Sequence, residues 1–333
     1  MLKSKTIIFT APLKVEIGEF ELPELEAGQI LTKTLLSGVS TGTETRVLSG
    51  KQEGAEFPLI PGYENLGEIV KVGEGVNLNI GARVFTGTSE LTGHYNKSWG
   101  AHLEYAIVNE NSVIPVPESV TDEEAIFTKI GAISLHGVKR AKVSENEKVV
   151  VIGLGLIGCL AGFCCKAFGA EVIAVDPSDE RLEIAKKGGA DYILNPTKVN
   201  LSAEIIKLTN GGADVVIDAT GIAKLADSSA RLLKGKDWDN LYHPSGRFLL
   251  LGSCVDPIIF NYNDTLFMNE IDIMASRDTV KEDLVDMLNL IRDKKVDVKA
   301  IKQNIFNYEE APNAYNKLLD EKLMRIVFDW RNK

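Results

Sequence analysis

Hydrophobic residues follow two different patterns along the chain, and the change between them comes near residue 147. Residues 1–118 carry short β-like apolar runs, separated at short intervals by turn signals rich in glycine. This spacing is typical of an all-β fold in which the sheet is folded over on itself. The runs are TIIFTA, KVEIGEF, ILTKTLLSG, NLGEIVKVG, ARVFTG and HLEYAIV. The first part of the chain therefore predicts a β-rich domain.

From Glu147 onward, uniformly apolar strands alternate with segments of helical spacing. This alternation indicates a parallel sheet covered by helices on both faces. The six predicted strands are KVVVIG (148–153), EVIAVD (171–176), DYILN (191–195), DVVIDA (214–219), RFLLLG (247–252) and IDIMAS (271–276). They fit a doubly wound α/β fold. Residues 234–245, KGKDWDNLYHPS, predict a polar surface insertion before the fifth strand.

The segments around these strands set the predicted domain boundaries. Val120 to Lys139 has helical spacing, and Thr121 is its predicted N-cap because acids follow it. After Lys281 the chain predicts two helices, KEDLVDMLNLIRDKK and APNAYNKLL, and a last strand, RIVFDW, which fits a return to the first domain. The predicted domains are residues 1–120 with 280–333, and residues 121–279.

Composition narrows the class of protein. Hydrophobic residues make up 44% of the 333 positions and charged residues 25%, as in soluble globular proteins. The net charge of −10 comes without a basic stripe, so we expect no nucleic-acid partner. No apolar stretch reaches the roughly 20 residues that span a bilayer, so we expect no membrane partner.

The cysteines and the N-terminus bear on the compartment. The chain turns at Ala11-Pro12 before a signal-peptide core develops. The four cysteines include no C-x2-C pair, and three of them lie in one apolar helical segment. That arrangement predicts packed thiols in a reducing compartment rather than a disulfide framework, so we expect the protein in the cytoplasm.

The segment VVVIGLGLIG carries the most specific motif. Gly153, Gly155 and Gly158 form G-x-G-x-x-G directly after a predicted strand, and Leu156 and Ile157 open the following helix. The first glycine permits a tight turn, the second lets the backbone approach a pyrophosphate, and the third allows close helix–strand contact. The N–H groups of the helix N-terminus then face the phosphates, so the motif predicts a dinucleotide site.

An acid at the end of the second predicted strand supports this interpretation. Asp176 stands 18 residues beyond Gly158, where a carboxylate accepts hydrogen bonds from both ribose hydroxyls. A fixed carboxylate repels a 2′-phosphate, so we expect NAD(H) rather than NADP(H). Arg181 either reaches the same ribose or is a solvated helix residue, and the sequence leaves both open.

Ligands of a doubly wound sheet bind beyond the carboxyl ends of its strands. Residues at the ends of the fourth, fifth and sixth predicted strands should therefore line the nicotinamide half of the groove. They are Thr220, Gly221, Leu251, Gly252, Ser253 and, on the substrate side, Ser276.

The order of these parts resembles the medium-chain dehydrogenase/reductase superfamily, to which the zinc-type alcohol dehydrogenases belong. The matching stretches include SGVSTGTETRVLSG, PGYENLGEIVKVGEGV, GARV, WGAHLEYAIV and DATG. The resemblance implies a GroES-like catalytic domain for the β-rich part and a Rossmann dinucleotide-binding domain for the rest. GVSTGTE and PGYE are also similar to the branch named for bacteriochlorophyllide hydroxyethyl dehydrogenase.

The chain departs from the family pattern at each zinc position. Ser40 or Thr41 takes the place of the ligating cysteine, and Tyr63 replaces the ligating histidine, although Glu64 remains. The third ligand should fall near Ile130, where no ligating side chain exists, and the cysteines of the family's structural zinc lobe are missing. Catalytic zinc needs three protein ligands, so we expect a zinc-free site.

The resemblance implies roles for the residues that remain. Thr43 occupies the position of a hydroxyl that binds the substrate oxygen and the nicotinamide ribose. Tyr63 would donate a hydrogen bond or act as a general acid, which requires a lowered pKa. Glu64 would orient Tyr63 or a neighbouring backbone group, and Arg46 would hold a cofactor phosphate or ribose. Two alternatives stay open, namely that Tyr63 is a packing aromatic and that Thr43 caps a helix.

Four further residues complete the predicted site. By resemblance, Ser134 lies near the cofactor carboxamide and Arg325 approaches the pyrophosphate. His94 and Tyr95, in a loop at the expected pocket edge, are predicted to contact substrate. A homodimer through the sheet edges of the nucleotide domain is also implied by the resemblance.

Together these features predict a zinc-independent, NAD(H)-dependent oxidoreductase that interconverts a secondary alcohol and a ketone on a small or mid-sized molecule. Hydroxyl donors would replace the metal in stabilising charge on the oxygen. The first alternative is reduction of an activated C=C or C=N bond, and the second is a nucleotide-binding protein without catalysis.

Overall fold

The computed structural model describes residues 2–235, 245–321 and 323–331. The predicted insertion at 234–245 therefore lies outside the described residues from 236 to 244. The strands are β1 (Leu2–Ala11), β2 (Lys14–Leu22), β3 (Gln29–Val39), β4 (Leu59–Ile60), β5 (Glu64–Val72), β6 (Arg83–Phe85), β7 (Asn96–Lys97), β8 (Tyr105–Asn109), β9 (Ile114–Pro115), β10 (Lys148–Ile152), β11 (Glu171–Val175), β12 (Tyr192–Leu194), β13 (Val215–Asp218), β14 (Arg247–Leu250), β15 (Asp272–Ala275), β16 (Asn304–Asn307) and β17 (Ile326–Asp329). The α-helices are α1 (Thr41–Leu48), α2 (Asp122–Ala125), α3 (Thr128–Arg140), α4 (Leu156–Ala167), α5 (Asp179–Lys187), α6 (Leu201–Thr209), α7 (Ala226–Ala230), α8 (Lys281–Arg292) and α9 (Ala311–Glu321).

The chain forms two compact units, which we call unit 1 (Met1–Ile130 with Lys302–Lys333) and unit 2 (Gly131–Ile301). These bounds differ from the predicted domains at both junctions. Residues 121–130 belong to unit 1, where the Ile126 carbonyl accepts a hydrogen bond from Arg325. Residues 280–301 belong to unit 2, where Asp283 of α8 binds His136 of α3. Such contacts between distant parts of the chain leave no mark on local composition, which explains the difference.

Unit 1 is built on two sheets. One has the order β2-β1-β4-β7, and the other has the order β16-β17-β3-β5-β6-β9, with β8 also paired to β3. β17 runs antiparallel to β3, with Ile326 opposite Val39. The predicted return of the C-terminal strand to the first domain is therefore confirmed. A core that includes Phe9, Val47 and Tyr315 packs β1, α1 and α9 together.

Unit 2 contains one six-stranded sheet with the order β12-β11-β10-β13-β14-β15, and all its pairings are parallel. This is the doubly wound order. The chain runs outward from β10 to β12, returns to the middle of the sheet, and runs outward in the other direction from β13 to β15, so the switch point lies between the neighbouring strands β10 and β13. Apolar side chains of β10, β11 and β13 pack with helices α6 and α7 in one core cluster. The predicted α/β fold, with a GroES-like domain and a Rossmann domain, is confirmed, and the six strands of unit 2 lie within two residues of their predicted ends.

In the described part of the chain, no helix combines the length and apolar character that crossing a bilayer requires.

Candidate functional site

The glycine motif of unit 2 forms a tight turn between β10 and α4. Gly153 has a φ of +86°, and a Cβ there would lie 2.9 Å from the side chain of Thr220. A Cβ on Gly158 would lie 1.9 Å from the Gly153 carbonyl oxygen, so this close contact is open only to glycine. Gly155 is the N-cap of α4 and has open space around its Cα, the room a phosphate needs at a helix N-terminus. Leu156 and Ile157 form the first turn of that helix.

Asp176 closes β11 beside this turn. The carboxylate is 3% exposed and accepts hydrogen bonds from the main-chain N–H groups of Leu154 and Ser178, each at 2.8 Å. Arg181 Nη1 lies 3.7 Å from the same carboxylate. The backbone donors fix the acid in place.

The carboxyl ends of β13 and β14 converge on the glycine turn. A Cβ on Gly252 would lie 2.4 Å from Gly221 N, and one on Gly221 would lie 2.7 Å from the Ser253 carbonyl oxygen. Thr220 is fixed by a hydrogen bond from its hydroxyl to Asp218. The structure therefore brings the predicted residues of these two strands together, with Leu251 buried behind them.

Two other predicted site residues of unit 2, Ser134 and Ser276, make hydrogen bonds to the main chain. Ser134 is fully buried and donates to the Ile157 carbonyl at 3.1 Å, so it braces the start of α4. That Ser134 lies near the cofactor carboxamide stays a prediction. Ser276 follows β15, is half-buried, and donates its main-chain N–H to the Leu250 carbonyl.

In unit 1, a cluster of hydroxyl groups forms at the start of α1. Ser40 is the N-cap of this helix, but its side chain makes no capping hydrogen bond. Its hydroxyl instead accepts a short hydrogen bond from the Tyr63 phenol. Thr43 is also within hydrogen-bond reach of that phenol. The alternative that Thr43 caps the helix is wrong, since α1 begins at Thr41 and places Thr43 in its first turn. We call Ser40, Thr43 and Tyr63 the hydroxyl cluster.

The phenol in this cluster is held protonated. Burial and the charge of Glu64 raise the pKa of Tyr63 above its ordinary value, although hydrogen bonds with Ser40 and Thr43 act in the opposite direction. The raised pKa favours the first predicted role of Tyr63, that of a hydrogen-bond donor, over that of a general acid, which requires a lowered pKa. Tyr63 acts as a hydrogen-bond donor, and its proton on Ser40 leaves the Ser40 hydrogen available to another acceptor.

A buried carboxylate, that of Glu44, binds the main chain of the cluster residue Ser40. Glu44 is fully buried and accepts the Ser40 main-chain N–H at 2.8 Å, together with a short hydrogen bond from Tyr315. His102 Nε2 lies 3.0 Å from the same carboxylate, and its Nδ1 lies 2.8 Å from Ser37 Oγ.

Ser37 and Trp330 complete the hydrogen bonds of this buried network. Ser37 Oγ accepts the indole N–H of Trp330 at 2.9 Å, so every group is satisfied if Ser37 donates to His102 Nδ1 and Nε2–H donates to Glu44. Sequence reasoning missed Glu44 and the role of His102. The available signal was a histidine inside an otherwise apolar strand segment, since a buried imidazole needs polar partners.

Glu64 has a different partner from the one predicted. Arg325 binds both of its carboxylate oxygens, at 2.9 and 2.7 Å, and both side chains are fully buried. The guanidinium also lies 5.0 Å from the ring centroid of Phe127. Glu64 therefore bonds to Arg325 and not to Tyr63, and the approach of Arg325 to a pyrophosphate stays a prediction. The pair joins β5 to the segment before β17.

His94 and Tyr95 do not join the hydroxyl cluster. Tyr95 packs edge-on against Phe20 of β2, and His94 lies 4.0 Å from Tyr95 between ring centroids. Their contact with a substrate therefore stays a prediction. Arg46 lies half-buried in the last turn of α1, and its proposed cofactor contact stays a prediction.

Trp99 is a neighbour of the cluster that sequence reasoning missed. Its ring meets the Tyr63 ring edge-to-face, with 5.3 Å between centroids, and the residue remains 40% exposed. The signal in the sequence was the dipeptide Trp99-Gly100, because a large aromatic residue is unusual in a glycine turn.

The donor set at the family's zinc position does not fit zinc. Tyr63 and Ser40 are hydrogen-bonded to each other, and Glu64 is neutralised by Arg325. Across residues 2–235, 245–321 and 323–331, no group of three or more histidine, cysteine, aspartate or glutamate side chains is placed to hold a metal ion.

Comparisons with known proteins agree with this architecture. Residues 26–118 match the family model of the alcohol dehydrogenase GroES-like domain, and residues 157–293 match that of the zinc-binding dehydrogenases. The chain is 30% identical to the sorbitol dehydrogenase of Halalkalibacterium halodurans, over 92% of this chain and 94% of the relative. It is also 30% identical to an alcohol dehydrogenase of Geobacillus stearothermophilus, over 86% and 88% respectively.

A solved structure shares the fold. The alcohol dehydrogenase rspB of Escherichia coli CFT073, complexed with NADH, superposes with a TM-score of 0.84 at 24% identity, covering 98% of this chain and 99% of that one. The two family models and the two relatives together define an oxidoreductase of the two-domain dehydrogenase class. The chain belongs to the medium-chain dehydrogenase/reductase superfamily, in its zinc-type alcohol dehydrogenase-like group. The alternative of a protein without catalysis is set aside accordingly.

Proposed function

We propose that this protein is a zinc-independent, NAD(H)-dependent oxidoreductase that interconverts a secondary alcohol and a ketone. The observation that carries the proposal is the hydrogen bond between Tyr63 and Ser40, which occupies the family's zinc position with neutral donors. The dehydrogenase names of the two relatives support alcohol–ketone chemistry.

Unit 2 would hold the cofactor. The turn at Gly153 and Gly155 and the N-terminus of α4 would bind the pyrophosphate, and Asp176 would accept the ribose hydroxyls. When bound, the cofactor supplies or accepts the hydride. We favour NAD(H), since the Asp176 carboxylate is fixed by two backbone donors and repels a 2′-phosphate.

The hydroxyl cluster would bind the oxygen of the substrate. Tyr63 stays protonated and donates to Ser40, which orients the Ser40 hydroxyl as a donor. Ser40 and Thr43 then stabilise the negative charge that develops on the oxygen during hydride transfer, as an oxyanion hole does. The proton exchanged with that oxygen passes along the hydroxyl groups to water.

The proposal is tested by measuring ketone reduction together with metal content. We expect purified protein with far less than one zinc per chain to reduce ketones, and EDTA to leave the rate unchanged. With deuterated cofactor, deuterium should appear on the carbinol carbon. A rate that follows added zinc overturns the metal-free mechanism, and deuterium on a former alkene or imine carbon overturns the reaction type. Tighter binding of NADPH than of NADH overturns the choice of cofactor.

We further propose that the protein is a cytoplasmic homodimer. The free thiols of Cys159, Cys164 and Cys165 are buried, and burial raises the pKa of each, which suits a reducing compartment. Support for the dimer comes from exposed apolar side chains near the edge strand β15, such as Ile273 and Phe267.

A further inference from the structure

The turn that follows β7 presents an exposed aromatic face beside the hydroxyl cluster. Trp99 is 40% exposed although it is a large apolar residue, and its ring contacts that of Tyr63. Because Tyr63 donates its phenol hydrogen to Ser40, the exposed indole is separated from the Ser40 hydroxyl by the Tyr63 ring alone.

The position of Trp99 is fixed by the main chain on both sides. Ser98 N donates to the Ile60 carbonyl at 2.9 Å, and Ala101 N donates to the carbonyls of Pro61 and Gly62 at 3.0 and 2.9 Å. The segment that carries these acceptors leads directly into Tyr63. The indole is therefore held in register with the phenol by hydrogen bonds and not by side-chain packing alone.

The backbone at Trp99 has a conformation that tryptophan rarely adopts. Trp99 has a φ of +72° and Gly100 a φ of +77°, and glycine, asparagine or aspartate ordinarily occupies such positions. A bulky aromatic residue is unfavourable there, so local folding does not explain it. Non-glycine residues held at positive φ cluster at ligand-binding sites.

The charges beside the cluster favour a neutral ligand. Glu44 is a buried carboxylate next to Ser40, whereas the charges of Glu64 and Arg325 neutralise each other. An anionic substrate would meet like charge, whereas a neutral apolar group would gain contact with the indole face.

We propose that Trp99 determines substrate specificity, and that the substrate is a neutral secondary alcohol or ketone whose carbon carries a ring or another flat apolar group packed against the indole. This inference rests on the proposed function, since it places the substrate oxygen at Ser40 and Thr43. It distinguishes the protein from dehydrogenases of linear polyols.

The test compares wild type with Trp99→Ala, Trp99→Phe and Trp99→Asn. The substrates are cyclohexanol and 1-phenylethanol on one side and sorbitol on the other. Trp99→Ala should raise KM for the ring alcohols about tenfold while kcat changes less, and Trp99→Phe should stay within about threefold of wild type. Any turnover of sorbitol should be unaffected. Tyr192→Ala, which removes an aromatic residue of similar exposure from unit 2, is the control and should change nothing.

Trp99→Asn separates folding from recognition. Asparagine adopts positive φ readily, so the melting temperature should be unchanged or raised while KM for the ring alcohols rises as in Trp99→Ala. Equal losses on sorbitol and ring alcohols, or no change in KM, overturn the inference.

Binding of acetophenone, measured by ligand-observed NMR, keeps this inference distinct from the proposed function. If wild type binds acetophenone but turns over no alcohol, and Trp99→Ala weakens the binding, the specificity role stands and the proposed reaction fails. If wild type does not bind acetophenone, or binds it as well as Trp99→Ala does, the specificity role fails.

Discussion

At the scale of single residues, the hydroxyl cluster differs from an ordinary helix start because Ser40 leaves the capping role unused. A serine N-cap normally bonds the main-chain N–H of the first turn. Here the Ser40 hydroxyl accepts from Tyr63 while Glu44 takes the Ser40 main-chain N–H. The start of α1 thus lacks the side-chain capping hydrogen bond, and the Ser40 hydroxyl keeps its hydrogen for a ligand.

Tyr63→Phe should lower kcat/KM for ketone reduction by about 10- to 100-fold, because it removes the donor that orients Ser40. The measurement is steady-state kinetics, with Tyr192→Phe as the control that should leave the rate unchanged. The alternative in which Tyr63 is only a packing aromatic predicts no loss in the phenylalanine variant, since the ring remains. A wild-type rate for Tyr63→Phe would therefore remove Tyr63 from the mechanism.

The pH profile gives a second check on Tyr63. Because its pKa is raised, the phenol stays protonated through pH 10, where an ordinary tyrosine is about half ionised. We expect the kcat/KM profiles of wild type and Tyr63→Phe to show the same ionisations. Neither profile should show an ionisation near pH 10 that the other does not. Such an ionisation, lost in the variant, would show that a phenolate takes part.

The ion pair between Glu64 and Arg325 makes a prediction about stability. Arg325→Met leaves a fully buried carboxylate without its cation, so it should lower the free energy of unfolding by about 3–5 kcal/mol. The double variant Arg325→Met, Glu64→Gln should lose less, since the unpaired charge is gone. Urea unfolding followed by circular dichroism measures both. A double variant less stable than Arg325→Met alone would show that the charge pair is not the source of the loss.

At the scale of secondary-structure elements, the strands of unit 2 could be predicted but the contacts of the site could not. Strands buried on both faces read as continuous apolar runs, and each lies within two residues of its predicted ends. Tyr63 and Ser40 are 23 residues apart, and Arg325 and Glu64 are 261 apart. Pairings over such separations leave no periodic pattern, so the bond between Arg325 and Glu64 could not be predicted from the sequence.

The glycine turn allows a matched comparison within one helix. Gly158→Ala should weaken NADH binding about tenfold or more, because a Cβ would lie 1.9 Å from the Gly153 carbonyl oxygen and displace the turn. Gly162→Ala, one turn later in α4, meets only Val172 at 3.8 Å and should stabilise the protein by up to about 1 kcal/mol. Fluorescence titration and thermal unfolding measure the two effects. Equal NADH affinity in both variants would remove the turn from the cofactor site.

The Asp283 carboxylate joins helices α3 and α8, and its contribution to the stability of the fold depends on pH. Asp283 is 3% exposed at its side chain and binds His136 at 2.7 Å and Lys139 at 2.6 Å. Burial alone would raise the pKa of Asp283, but the hydrogen bonds from Lys139 and His136 outweigh it and hold the pKa below its usual value. A carboxyl with a depressed pKa in the folded state stabilises the fold above its unfolded pKa of about 3.9, and that stability is lost as the pH falls through the folded pKa.

Asp283→Asn should therefore cost about 2 kcal/mol at pH 7, and the difference from wild type should shrink below about pH 4. Asp286→Asn removes another partner of Lys139 that is half exposed, and it should cost under about 0.5 kcal/mol. Chemical unfolding at several pH values measures both variants. A loss for Asp283→Asn that is constant from pH 3 to pH 7 would contradict the assignment to its charge.

At the scale of the whole molecule, the edge strand β15 raises the question of assembly. It ends the strand order of unit 2, and Ile273 in this strand is 39% exposed. An unpaired strand edge with apolar side chains favours pairing with a second chain, and pairing two such edges buries both. Phe267 and Ile259 add exposed apolar surface in the segment that precedes it.

Light scattering coupled to size exclusion should give the mass of two chains for wild type at micromolar concentration. Ile273→Lys places a charge on the proposed interface and should give the mass of one chain, since an unpaired buried charge opposes association. Ile206→Lys introduces the same charge at an exposed isoleucine of α6 and should stay dimeric. A wild-type monomer, or an Ile273→Lys dimer as stable as the wild type, would show that β15 does not form the contact. A monomer that keeps full activity would show that the edge serves assembly alone, because the hydroxyl cluster and the glycine turn both lie within single chains.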